Sequence, residues 1–212
     1  MRIFLLGVGG FIGRHLLADL IAAGHEVVGV ARSTAQLALA FPTAGFIQCD
    51  LSVAIGPDDW IDRLGGVDVI VNAAGLLRGP DLDAVHVAML RALYEAAEAA
   101  GVKRVVLISA ISARPDVATD YAQSKLEGEA VLRESKLDWT ILRPSLGYGD
   151  GSYGGTSLIR GMAGLPLVTP IPGDGNFAFT PIHVRDLART VRIACEAGCH
   201  RGKPLSQLVP RR

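Results

Sequence analysis

Short apolar runs alternate along this chain with longer stretches in which apolar residues return every three or four positions. The runs at 2–6 (RIFLL), 26–31 (EVVGVA), 45–49 (GFIQC), 67–74 (VDVIVNAA), 103–109 (KRVVLIS) and 138–144 (DWTILRP) predict strands. Between them, 11–23 (FIGRHLLADLIAA), 81–100 and 120–135 predict helices, the first stopped by Gly24 and the second by Gly101. The strands are apolar throughout instead of alternating, which predicts burial on both faces and therefore a parallel sheet. From 145 to 181 glycine and proline become dense and the alternation fades, which predicts loops and a small lobe over the sheet edge. A helical pattern returns at 183–197 with Asp186 as its expected N-cap. The expectation is an α/β domain over 1–212: a doubly wound parallel sheet of about seven strands, helices on both faces, and a reduced C-terminal lobe at about 145–181 and 198–212.

Composition narrows the partners. Half of the 212 residues are hydrophobic, formal net charge is zero and the pI is about 7.0, which argues against nucleic acid or an anionic membrane as the main partner. Cys49, Cys195 and Cys199 are odd in number and widely spread, so they read as thiols of a reducing compartment. No apolar run approaches the roughly 18 residues of a membrane helix, and no small-residue cleavage site follows the opening glycines. A cytoplasmic protein is expected. The Cys195, Cys199, His200 group has no evident fourth ligand, so no metal is expected. Asp58, Asp59 and Asp62, and Glu95 and Glu98 beside Arg91, read as solvated faces, and His183 as a structural hydrogen-bonding residue.

Candidate chemistry begins at the first strand–helix turn, GVGGFIG, where Gly7, Gly10 and Gly13 are spaced G-x-x-G-x-x-G. Gly7 permits the tight turn, Gly10 removes a Cβ where a pyrophosphate approaches the backbone, and Gly13 lets the helix pack on the strand. The free N–H groups of the first helical turn, at Phe11 and Ile12, and the helix dipole favour an anion. The alternative is a glycine turn kept for packing alone. Arg14 and His15 read as exposed helix residues at the margin of a phosphate. At the end of the second strand Ala31 stands where a ribose-binding carboxylate would be, followed by Arg32 and Ser33. A guanidinium there suits a 2′-phosphate, so NADP(H) is favoured over NAD(H). The alternative for Arg32 is a solvated loop charge.

The stretch YAQSK puts Tyr121 and Lys125 four apart, on one face of a helix beyond the strands' carboxyl ends. An ammonium beside a phenol lowers the phenol's pKa and fits it for proton exchange with a substrate oxygen. By chance alone, such pairs also occur on exposed helices.

These pieces, with CDL (49–51), NAAG (72–75), LRPSLGYG (142–149) and PGDGNFAFTPIHVRDLA (172–188), occur in order over nearly the whole chain. Together they resemble the short-chain dehydrogenase/reductase superfamily, in its extended or atypical NAD-dependent epimerase/dehydratase-like branch, which includes proteins similar to a subunit of respiratory complex I. The resemblance implies a Rossmann-type fold, with Asp50 and Leu51 beside an adenine and Asn72, Ala73, Ala74 and Gly75 lining the cofactor after the fourth strand. It implies Pro144, Ser145 and Leu146 over the nicotinamide, Tyr121 as acid/base and Lys125 as its partner. Read from the residues alone, Asn72 is equally a turn former and Asp50 a helix cap.

The resemblance also sets what departs from it. The family adds a hydroxyl at the end of the fifth strand, and its fuller pattern brings that position to Ile111. Ser109 is preferred here and Ser112 is the other candidate. His86, where the family often has asparagine, reads as a partly buried helix histidine. The expected activity is NADP(H)-dependent oxidoreduction, or epimerase-like chemistry, on a small-molecule carbonyl or secondary alcohol. The rivals are a dinucleotide-binding sensor or assembly subunit without turnover, and a Rossmann domain with an empty groove. The Ala-rich helix is a candidate for a homodimer contact, or else packs simply on the sheet.

Overall fold

The computed structural model of the chain describes residues 1–151, 161, 164, 174 and 180–196. Most of the small lobe expected at 145–181, the whole of 198–212, and with them Cys199 and His200, lie outside these residues.

Six strands, β1 (Arg2–Leu6), β2 (Glu26–Ala31), β3 (Gly45–Gln48), β4 (Val69–Asn72), β5 (Arg104–Ile108) and β6 (Asp138–Leu142), form one parallel sheet in the order β3-β2-β1-β4-β5-β6. The strand count is therefore six in this sheet, against the seven or so expected. Pro144, which lacks an N–H, follows β6 closely. Two further short strands, β7 (Gly147–Tyr148) and β8 (Ile182–His183), pair with each other in a second sheet.

Side-chain alternation gives each strand two buried faces. In β1, Phe4 and Leu6 enter one core while Ile3 and Leu5 enter the other. Helix α1 (Phe11–Ala22) and the last described helix, Val184–Glu196, close the second core through Leu16, Leu17, Leu20, Leu187 and Val191. The first core is closed by the long helix and by the helix after β5. Its Trp60 is fully buried, donates from Nε1 to Ala54 O at 3.1 Å and meets Phe4 edge-on.

Helix boundaries depart from expectation in three places. A short helix, α2 (Ala35–Ala40), follows β2, too brief to show a period in sequence. The long helix begins with a turn of π-helix at Ala84–Ala88 before α3 (Met89–Ala99). Its Ala92, Ala96 and Ala97 are buried on this chain's own sheet, while Arg91, Glu95 and Glu98 face outward. After α4 (Asp120–Glu134), helix α5 (Val184–Glu196) starts two residues before Asp186. Asp186 is thus in the first turn and not the N-cap. The ring of His183 serves there, Nδ1 accepting from Arg185 N at 3.3 Å.

Candidate functional site

The sheet order reverses between β1 and β4, and in open α/β sheets ligands bind in the crevice beyond such a switch point. A groove of about 500 Å³ lies there. The turn after β1 shapes its floor. Gly7 has φ +81°, and a Cβ on it would lie 2.7 Å from Ala74 N and 2.8 Å from the Ala73 carbonyl. The two loops at the switch point can therefore touch only because residue 7 has no side chain. A Cβ on Gly13 would sit 2.1 Å from Gly7 O, so α1 packs directly on the turn. Gly10 is the N-cap of α1 and lines the groove. No acidic residue stands in the helix's first turn, leaving its amides and dipole free to favour an anion. Phe11 and Ile12 occupy that first turn. The Phe11 ring stands edge-on to His15, and His15 Nε2 lies 3.1 Å from Asp150 O.

The far end of the groove is formed by Ala31, Arg32 and Ser33 after β2 and by Asp50 and Leu51 after β3. Asp50 is neither a helix cap nor free. Its Oδ1 accepts from Ser52 N at 3.0 Å and Ser52 Oγ at 2.8 Å, and these bonds, helped by the charge of Arg32, hold its carboxyl below the usual range. Arg14 and Gln36 also line this end. The sequence placed Arg14 on an exposed helix face at the margin of a phosphate, and its reach into the groove depends on how α1 docks. The remaining wall is Ala73, Ala74, Gly75 and Leu76.

Asn72 is not part of that wall. It is 2% exposed, and its Oδ1 accepts from Ala74 N at 2.9 Å, bracing the loop from beneath. Residue 72 is the last of β4, and alternation turns its side chain into the core. Asn72 thus makes the turn bond that its residue type also allowed.

Lys125 is buried, and its Nζ donates to Ala74 O at 3.2 Å and Ile108 O at 3.4 Å, bridging the ends of β4 and β5. Burial pulls its pKa down to about 8, with the charge of Glu129 opposing. A Cβ on Gly75 would come within 2.9 Å of this Nζ, so a side chain there would have to displace the ammonium. Tyr121, one helical turn earlier, is partly exposed, and burial holds its phenol above the usual value. The expectation that Lys125 lowers it is not met. The ammonium is engaged by two carbonyls, and burial disfavours the phenolate.

His86, in the π turn, is 2% exposed. Leu76 N donates to its Nε2 at 3.0 Å, so Nδ1 carries the proton and donates to Ser124 Oγ at 2.9 Å, and that hydroxyl donates to Tyr121 O at 3.1 Å. Burial and then the charge of Lys125 bring its pKa down to about 3. It is a neutral strut between the groove wall and the Tyr121 backbone, more deeply buried than expected. Gly128 makes this possible, since a Cβ there would lie 2.3 Å from His86 O.

Ser109 stands outside the groove lining. Its N–H still pairs with Leu142 O at 2.8 Å, so it belongs to the end of the sheet, and it is 4% exposed. Its hydroxyl faces the Glu129 carboxylate, without a well-formed hydrogen bond, and not the groove. Two residues on, in the turn after β5, Ile111 is 55% exposed. Ser109→Ala is expected to keep turnover within about threefold of wild type, as for the loss of at most one weak hydrogen bond. A loss of two orders of magnitude in steady-state kinetics would return the serine to the site.

Pro144, Ser145 and Leu146 leave β6 half-buried and lie outside the groove lining. Pro144 O accepts from Ile111 N, Ser145 Oγ donates to Thr180 O, and Leu146 O accepts from Ile182 N. Among the described residues no three His, Cys, Asp or Glu side chains gather as a metal site, and no helix is long and apolar enough to cross a membrane. Cys195 is buried, which pushes its thiol up to about 12.

Residues 7–161 match the family described as NAD(P)H-binding. The chain is 31% identical over 200 residues to the ceramide reductase of Caulobacter vibrioides, covering 90% of this chain and 60% of that one. It thus spans less than two thirds of that relative's length. It is 27% identical over 153 residues to YhfK of Bacillus subtilis, an uncharacterized sugar epimerase, covering 68% and 71%. Among solved structures, MoeE5 in complex with UDP-glucose and NAD is similar with a TM-score of 0.75 and 26% identity, over 95% of this chain and 74% of that one. UDP-glucuronic acid 4-epimerase from Bacillus cereus, in complex with NAD, is similar in fold, with a TM-score of 0.79 at 22% identity over 92% and 73%.

Proposed function

The chain belongs to the NAD(P)H-binding family, and from that premise we propose that it is an NADP(H)-dependent oxidoreductase acting on a small carbonyl compound or secondary alcohol. The observation that carries this reading is one continuous groove. It runs from Arg14, Arg32 and Ser33 past the amides of α1 to the Ala74–Gly75 turn, whose carbonyl Lys125 grips. The turn that Gly7 permits and the missing Cβ of Gly10 suit a diphosphate, and the two guanidinium groups suit a further phosphate on the adenosine ribose. Pro144, Ser145 and Leu146 are read as the cover over the nicotinamide.

A bound nicotinamide supplies the hydride. The protein's share is the proton. Burial keeps the Tyr121 phenol protonated at neutral pH, which fits it to donate to the oxygen of a carbonyl being reduced. Lys125, charged below about pH 8, places a cation beneath that oxygen and a donor for a ribose hydroxyl. Exposed Leu77 and Ile111, on the loops after β4 and β5, give the described part of the rim an apolar character. Long-chain ketones therefore belong in the substrate panel beside UDP-sugars. A cytoplasmic setting and a homodimer are the remaining parts of the reading.

The test is loss of NADPH absorbance against long-chain ketones, UDP-sugars, quinones and small aldehydes. Turnover with any class supports an enzyme. Tight binding without turnover across the panel supports the second reading, a dinucleotide-binding sensor or assembly subunit, which the exposed Ile111 in place of a hydroxyl favours. Cofactor choice is tested separately. Arg32→Ala should weaken NADPH binding by roughly 10- to 100-fold, the worth of charge-assisted hydrogen bonds, and leave NADH within about twofold. Equal loss for both by calorimetry, or NADH binding more tightly to wild type, would overturn the NADP(H) assignment.

A further inference from the structure

Glu129 stands one helical turn beyond Lys125 on α4 and is fully buried. Nothing in the reaction read above uses it. Its Oε1 accepts from Arg143 Nε at 2.7 Å, and its Oε2 accepts from Arg143 Nη2 and from Arg133 Nη2, both at 2.5 Å. Arg143 is the residue directly before Pro144–Leu146 and sits on the strand end that Ile111 and Ser109 bond to. Arg133 lies four residues along α4, partly in solvent. One carboxylate therefore joins the helix of Tyr121 and Lys125 to the segment leaving β6.

We infer that Glu129 is a positioning residue of this site: its buried carboxylate, one turn from the Lys125 ammonium and bonded to Arg143, holds that ammonium in place and ties the Tyr121–Lys125 helix to the 144–146 segment. The inference rests on the reading of Tyr121 and Lys125 given above. The charges facing Lys125 are few. Within α4 they are Glu129 and the neutral phenol of Tyr121. From the π turn comes neutral His86, and from the β4 and β5 ends only the carbonyls of Ala74 and Ile108. Arg143, from the end of β6, is bound on the far side of Glu129. Among the described residues, Glu129 is thus the anion set against the ammonium. Burial opposes its own charge, but its contacts with Arg143, Ser109 and Arg133 outweigh that and keep its carboxyl below the usual range. A buried carboxylate held ionised one turn from a buried ammonium favours the ammonium.

The test is Glu129→Gln in the full chain, read by lysine-selective NMR. Lys125 is one of four lysines, and its signal is identified by its loss in Lys125→Arg. The titration midpoint of Lys125 should fall by about half a pH unit or more in the variant relative to the wild type, as expected for removal of a nearby opposite charge. The alkaline limb of NADPH affinity should move with it. An unchanged midpoint overturns the inference, even if the variant melts earlier, since lost stability alone is what a structural ion pair predicts. If Glu129→Gln fails to fold, E129Q/R143M removes the carboxylate together with its more buried arginine and leaves Arg133 partly in solvent, and its Lys125 midpoint is required to lie below that of R143M alone. The NMR readout needs no turnover. A wild type inactive on every substrate would therefore sink the oxidoreductase reading while the Lys125 midpoint still decides this one.

Discussion

Gly13→Ala is expected to abolish dinucleotide binding and to lower the melting temperature together. The added Cβ would lie 2.1 Å from Gly7 O and 2.7 Å from Gly7 C. Both atoms are backbone, so no rotamer change relieves the overlap. Either α1 must lift from the turn, or the turn must leave the φ of +81° that brings it against Ala73 and Ala74. Overpacking of this kind costs roughly 3 kcal/mol or more when the obstacle cannot move. In a chain of this size that corresponds to a fall of roughly 6–12 °C. Displaced amides at the N-terminus of α1 would cost binding about 100-fold or more, since each 1.4 kcal/mol is tenfold. Calorimetric titration with NADPH and NADH, alongside a thermal melt, checks both halves. A variant that binds normally would mean that the groove's anion contacts come from side chains and not from the turn.

Tyr121→Phe should separate binding from turnover. The ring survives and keeps its edge contact with His86, 6.0 Å between centroids. The strut from Leu76 N through His86 and Ser124 ends on the Tyr121 carbonyl, which the substitution keeps. Cofactor affinity should therefore stay within about twofold, while the rate falls by 10²- to 10⁴-fold, the usual worth of a general acid. Rates on the best carbonyl substrate from the panel check this. Retained turnover would move the acid elsewhere, and Ser112 is the next hydroxyl to try.

The sheet and its order of elements were legible because two-sided burial writes itself as unbroken apolar runs, as in IFLL of β1 and VVLI of β5. The glycine turn was legible because Gly7, Gly10 and Gly13 each stand where a Cβ could not or should not be. Half of the site was not legible, and the reasons are local. Ser109 and Asn72 both end strands, and whether a terminal residue faces ligand or core turns on a single position of register. The ring of His86 meets Leu76 only because a π turn shifts its helix, and a 3.6-residue period carries no trace of an extra residue. Glu129 read as one more helix charge. Its burial depends on Arg143, fourteen positions away on another element. The small lobe was inferred from glycine and proline density alone and lies mostly outside the described residues.

The missing Cβ of Gly128 has a mechanical consequence. With the main chains of α4 and the π turn so close, no layer of side chains is left between them to absorb a displacement. Pressure on the charged outer face of α3, whether from a neighbouring molecule or from a substitution at Arg91 or Glu95, would be transmitted to the Tyr121 end of α4 as rigid motion. Tuning of this site from a distance therefore has a ready route through that helix pair.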